Sequence, residues 1–192
     1  MSRSHFVFGF GSLVKKSDLR KFLKRKVDDP VESFICQLRA YRRCWNVAMD
    51  NMQDLPSYKY YIDPQTSHRP EVFVTFLNVR PETGHEITGI LFSVTEEELY
   101  MLDKRERNYA RTEVSKAISI PVPGRVWVYE GTKAARERYT RGLSENKACI
   151  SADYYHYVQD CFLQLGQSHA QAYLDSTDSA EVPIRQLHRI NL

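Results

Sequence analysis

Apolar residues cluster at the start of the chain. HFVFGF, residues 5–10, reads as a buried strand that runs into the glycine-rich turn Phe10-Gly11-Ser12-Leu13. The period then changes to that of a helix. Leu19, Phe22, Leu23 and Val27 share one face of a helix over about 18–27, with Ser17 as its cap and basic residues opposite. The DDP at 28–30 ends it. Short strands are predicted near 34–38 and 45–49. The polar, turn-rich stretch from 50 to 70 reads as a long loop with some extended pieces.

Two stronger strands come next. EVFVTFLNV (71–79) alternates, and ITGILFSV (87–94) is more continuously apolar, so more deeply buried. PETGH, between them, is a turn signal. Thr95 and Glu98 have the spacing of a capping box for a helix through Arg105. Strand patterns recur over 114–120 and 125–129. Ser151 caps a long helix to about Leu165, and LGQS separates it from a shorter helical piece near 167–174. Strands in the middle flanked by helices give an α+β fold with a mixed or barrel-like sheet. The 192 residues suit a single domain over 1–192, with a helical extension from about 151.

Composition narrows the classes of function. With 42% hydrophobic and 27% charged residues and a net charge of +3, the chain reads as a soluble globular protein without the strong positive charge of a nucleic-acid binder. The run KKSDLRKFLKRK (15–26) is basic, but it also reads as the solvated face of an amphipathic helix, and no aromatic platform accompanies it. Cys36, Cys44, Cys149 and Cys161 form no CxxC pair, which favours a reducing compartment over a zinc ribbon. The apolar stretch 6–14 is too short to cross a bilayer, and a cytoplasmic protein is expected.

The candidate chemistry lies in two stretches. GFGS lacks the third glycine of a dinucleotide fingerprint, the Gly-Lys-Ser/Thr of a P-loop and the final glycine of a nucleophile elbow. Two readings of it stand side by side: a structural turn, or a cradle whose Gly11, Ser12 and Leu13 N–H groups bind a carboxylate. In the second reading Gly11 is the position where a Cβ would intrude. LDKRERNYAR (102–111) puts Asp103 and Glu106 three apart at a helix end, where surface ion pairing is the plain alternative to catalysis. The six histidines show no metal-ligand spacing.

Taken together, FGFGSL (8–13) and LDKRE (102–106) resemble the γ-glutamylcyclotransferase superfamily. LRAYRRCWNV (38–47) is similar to a segment of its ChaC-type branch, and VWVYEG (126–131) to its later strand ending in tyrosine. The resemblance implies a small mixed β-barrel flanked by helices. It implies release of 5-oxoproline from a γ-glutamyl substrate (glutathione, a γ-glutamyl peptide or a γ-glutamyl amine) by attack of the substrate's own α-amine. No cofactor or metal is needed, because the substrate supplies the nucleophile. The implied base is Glu106. The implied binding residues are Phe10, Gly11, Ser12 and Leu13 of the turn, with Tyr129 and Tyr139 as pocket walls. The family's motif tyrosine is Phe10 here, so that hydroxyl is absent. The expected partner is a small γ-glutamyl substrate, not nucleic acid or membrane. The alternative is a non-catalytic module that binds a small ligand or a partner protein on the same fold.

Overall fold

A computed structural model of the chain describes residues 5–27 and 32–191. β1 (His5–Gly9) leads through one 3₁₀ turn (Ser12–Val14) into α1 (Lys16–Leu23). β2 (Ser33–Asp50), β3 (Lys59–Ile62) and β4 (Phe73–Val94) follow, then α2 (Glu96–Arg105), β5 (Tyr109–Glu113) and β6 (Arg125–Gly131). The chain continues through α3 (Lys133–Ser144), β7 (Ala148–Ser151), α4 (Ala152–Leu163) and α5 (Gln167–Asp175). It closes with β8 (Ile184–Arg185) and β9 (His188–Asn191). The fold is α+β, as expected.

The scaffold is the β2–β4 pair. The four short strands expected here are two long ones of 18 and 22 residues, antiparallel from Ser33↔Phe92 to Asp50↔Phe73. PETGH is therefore not a hairpin turn. Arg39 pairs with Glu86 and Tyr41 with Pro81, so residues 82–85 bulge opposite Ala40 alone. Ala40 and Gly84 take left-handed backbone there (φ 59° and 86°). Such a bulge uses the same residues as a turn but lets the strand run on and bend.

The C-terminal half of β4 is flanked by β2 on one side and β1 on the other. β1 in turn pairs parallel with β6, and β6 antiparallel with β5. After β5 the chain crosses back to β2. Arg39 N–H donates to Ala117 O (2.8 Å), Ser119 N–H donates to Gln37 O (2.9 Å), and Leu38 bridges Ile118. This crossing brings the two ends of the five-strand ladder together. The strand expected over 114–120 is thus a turn with one bridge. The true strand, Tyr109–Glu113, is largely exposed, and its polar sequence carried no apolar alternation.

The helices differ from expectation at their ends. α1 starts at Lys16, so Ser17 lies inside its first turn and does not cap it, and left-handed Lys24 ends it four residues early. The DDP signal at 28–30 lies outside the described residues. α2 has the full capping box: Glu98 N–H donates to Thr95 Oγ1, and Thr95 N–H to Glu98 Oε2. Ser151 precedes α4, but its hydroxyl donates to Leu187 O (3.2 Å) rather than capping the helix. α3 had no apolar signal because it buries only Ala135, Tyr139 and Gly142. A Cβ at Gly142 would stand 2.9 Å from that of Phe73, so glycine lets α3 lie against β4. The segment after 151 is not only helical, since β8 pairs with β7 and β9 with β3. The basic run is not uniformly solvated either. Arg25 is held by Glu98 (2.6 Å) and Glu32 (2.7 Å), whereas Lys21 and Lys24 are exposed.

One side chain ties these layers together. Arg43 of β2 is fully buried, and among the described residues it pairs with no carboxylate. Its guanidinium donates to Phe10 O (2.8 Å), Ser176 Oγ (2.7 Å) and Thr88 O, and lies 4.7 Å and 5.3 Å from the ring centroids of Phe162 and Tyr173. Burial lowers its pKa to about 9, which leaves it charged at neutral pH. Carbonyl oxygens and aromatic faces take the place of a counter-ion. Arg43→Met would strand two buried carbonyls. It is expected to destabilise the fold by roughly 2–5 kcal/mol in urea unfolding, with Arg43→Lys in between, since an ammonium cannot reach all three acceptors.

Candidate active site

The turn after β1 brings backbone to the surface of a small cavity of about 40 Å3, lined by Phe10, Gly11, Ser12, Leu13, Leu77, Glu106, Tyr109, Tyr129 and Tyr154. Val14 N–H donates to Gly11 O (3.0 Å) and Lys15 N–H to Ser12 O (3.5 Å), which sets the tight geometry. Among the described residues, the N–H groups of Gly11, Ser12 and Leu13 have no acceptor. Three unspent donors on consecutive residues are the kind of group from which an anion cradle is built. The position closed to a Cβ is Gly9, not Gly11. A Cβ at Gly9 would meet Leu13 backbone at 2.9 Å, whereas one at Gly11 would make only an ordinary contact with Leu77 at 3.4 Å. The Phe10 ring is packed into the core, and its carbonyl is held by Arg43, so Phe10 contributes position rather than a polar group.

Glu106 sits one residue past the last turn of α2. Its N–H donates to Leu102 O and its carbonyl accepts from Tyr109 N–H, both at 2.8 Å. The backbone is therefore fixed on both sides of the carboxylate. Its side chain is only 17% exposed. Burial raises its pKa above the ordinary 4.5, and Arg105 (Nε 3.3 Å away) and Lys59 hold the rise back. Asp103 has a different place. It accepts from Tyr129 Oη (2.8 Å) and pairs with Arg111 (2.9 Å), which fastens α2 to β6 and β5 one turn before Glu106.

A larger cavity, about 690 Å3, adjoins the first. Ser12, Glu106, Tyr109 and Tyr154 line both. Glu106 thus stands at the junction. The sequence reading had placed the turn, Glu106 and Tyr129 together, and they do meet. Tyr139 does not join them, because α3 turns its hydroxyl toward Glu181 (3.4 Å) and it lines neither cavity. Four residues at the site were missed. Tyr109, whose hydroxyl donates to Leu77 O (2.7 Å), lay within the singled-out 102–111 stretch. Tyr154 opens α4 and packs edge-on against Phe76, with centroids 5.2 Å apart. Tyr58 and Lys59 come from the supposed loop and reach the site only because β3 pairs with β9, a pairing that no local pattern signals.

Among the described residues, no group of three or more His, Cys, Asp or Glu is arranged to hold a metal, and no helix is long and apolar enough to cross a membrane. The family model described as gamma-glutamyl cyclotransferase, AIG2-like, matches residues 7–147. No curated protein matched the sequence. Among solved structures, one described as a gamma-glutamyl cyclotransferase is 13% identical, with 82% of this chain and 85% of that one covered and a TM-score of 0.40. A protein from Arabidopsis thaliana is 18% identical over 76% and 86% of the two chains (TM-score 0.44). An uncharacterized protein from Homo sapiens is 12% identical over 94% of each (TM-score 0.46).

The position of Glu106 has a consequence for stability. A carboxyl whose pKa is raised on folding favours the folded state below its ordinary value of 4.5, and that contribution is lost as pH rises through the folded pKa. At neutral pH the buried charge is a burden. Glu106→Gln is therefore expected to melt at the same temperature as the parent or higher at pH 7, and to lose that advantage at pH 4. Scanning calorimetry at the two pH values reads both.

Proposed function

The chain belongs to the gamma-glutamyl cyclotransferase, AIG2-like family, and from that premise and the cavity we propose that it releases 5-oxoproline from a γ-glutamyl substrate. One observation carries the reading. A nearly buried carboxylate of raised pKa, Glu106, shares a cavity with three consecutive N–H groups that have no acceptor.

The chemistry needs a folded substrate, a proton acceptor and a proton donor. The substrate's α-carboxylate is bound by the N–H groups of Gly11, Ser12 and Leu13, which fixes the amino-acid head at the Ser12–Glu106 wall. Tyr109 and Tyr154 enclose it on the other side. Glu106, as carboxylate, takes a proton from the substrate's α-ammonium. The freed amine attacks the γ-carbonyl carbon and a five-membered ring closes. Glu106 then gives its proton to the leaving nitrogen as the C–N bond breaks, and the second proton of the ring nitrogen passes by the same carboxylate to the departing amine, which leaves as an ammonium. One carboxyl does both transfers and returns to its starting state, and a raised pKa suits it to each. Tyr129 is a positioning residue: through Asp103 it holds the helix end that carries Glu106.

Wild type incubated with a panel of γ-glutamyl compounds is expected to form 5-oxoproline. Glu106→Gln should lower turnover by roughly 100-fold or more. Ser12→Ala should change KM only a few-fold, since the donors are backbone; Gly9→Ala should abolish binding, because its Cβ would displace the turn. Normal turnover by folded Glu106→Gln would remove the mechanism.

The acid limb of kcat/KM reports Glu106 in the free protein. It is expected above pH 4.5, because activity needs the carboxylate and burial raises its pKa. A limb at or below that value would contradict the role assigned to burial.

A further inference from the structure

The larger cavity extends beyond the turn and Glu106, and the β3–β9 ribbon builds its far wall. Lys59 pairs with Asn191 and Tyr61 with Arg189, so Lys59 and Arg189 are diagonal neighbours on one face, and both line the cavity. Arg189 donates to Asn191 Oδ1 (2.8 Å). The Lys59 ammonium lies 4.2 Å from the Phe76 ring centroid, and among the described residues it makes no hydrogen bond or ion pair. Burial, with Arg189 and Arg105 nearby, pushes its pKa down to about 7, although Glu106 opposes the fall. Across the cavity, Arg105 is committed to Glu106, and Asp18 accepts from Tyr157. Lys59 and Arg189 thus present positive charge to the cavity that Ser12 of the turn, Glu106 and Asp153 also line.

We propose that Lys59 and Arg189 form a subsite for a carboxylate carried by the leaving group, so that γ-glutamyl amino acids and peptides are preferred over γ-glutamyl amines. The proposal rests on the cyclotransferase reading and adds the class of leaving group. The α-carboxylate of the head and the carboxylate of the leaving group then occupy opposite ends of one site. The reacting bond lies between them, beside Glu106. A carboxylate at the ribbon also gives Lys59 an ion-pair partner, where among the described residues Glu106 attracts it without pairing.

The test compares γ-glutamylalanine with γ-glutamylethylamide, which differ by that carboxylate alone. Wild type should favour the acid in kcat/KM by roughly 10-fold or more, the scale of one or two charge-assisted hydrogen bonds. Lys59→Gln and Arg189→Gln should each bring the ratio toward one, and Lys59→Arg should retain it. Equal turnover of the two compounds by wild type would overturn the subsite and leave the cyclotransferase reading standing. Absence of 5-oxoproline from both would overturn that reading instead. Calorimetric titration with the same compounds then decides the subsite by itself: tighter binding of the acid, lost in Lys59→Gln, supports it, and equal binding overturns it.

Discussion

A lone guanidinium in the core sets the geometry on which the site depends. Arg43 has no carboxylate partner among the described residues, so its charge is balanced by oxygen atoms that must be brought to it: the carbonyls of Phe10 and Thr88 and the hydroxyl of Ser176. Those three groups belong to the turn after β1, to β4 and to the end of α5. A charge in a low-dielectric interior tolerates little loss of coordination. The turn is consequently not free to relax toward solvent, although its own backbone carries few internal hydrogen bonds. The interaction that fixes the core thereby leaves the N–H groups of Gly11, Ser12 and Leu13 without an acceptor among the described residues.

Glu106 shows the opposite arrangement. Its backbone is tied by Leu102 and Tyr109, and its helix is tied to the sheet through Asp103, Tyr129 and Arg111, but among the described residues the carboxylate pairs with Arg105 alone, with Lys59 acting from further off. Rigid support keeps the group in place, and burial raises its pKa against the partial opposition of Arg105 and Lys59. In the proposed mechanism stronger pairing would make it a poorer base, and looser support would blur its distance to the turn.

The parts of the fold legible in the sequence were those where local pattern and tertiary position agree. β1, β6, the capping box of α2 and the paired helices α4 and α5 all carry local periodicity or capping residues. The misreadings have physical causes. PETGH has turn composition, but a four-residue bulge makes the same φ demands as a turn, and only the partner strand tells them apart. β5 and α3 bury little apolar surface, so they left no pattern. In the site, Glu106 and the turn stood out through their spacing and resemblance. Tyr139 was named on the same resemblance as Tyr129, but its hydroxyl lies by Glu181 and it lines neither cavity. Lys59 and Arg189 are brought together by a pairing between residues about 130 apart in the chain, which no window of sequence contains.

The ribbon of β3 and β9 joins the main sheet by no strand pairing of its own. One of its strands interrupts the β2–β4 hairpin and the other comes from near the end of the chain, past the 7–147 segment shared with the family. Glu106 and the turn after β1, by contrast, hang from the central ladder. Under the proposed function, recognition of the outer part of a substrate and the chemistry at its inner part are carried by separately replaceable pieces. Sequence drift in the ribbon can retune what is accepted while leaving the reacting geometry untouched, an arrangement that favours divergence of specificity on a constant mechanism.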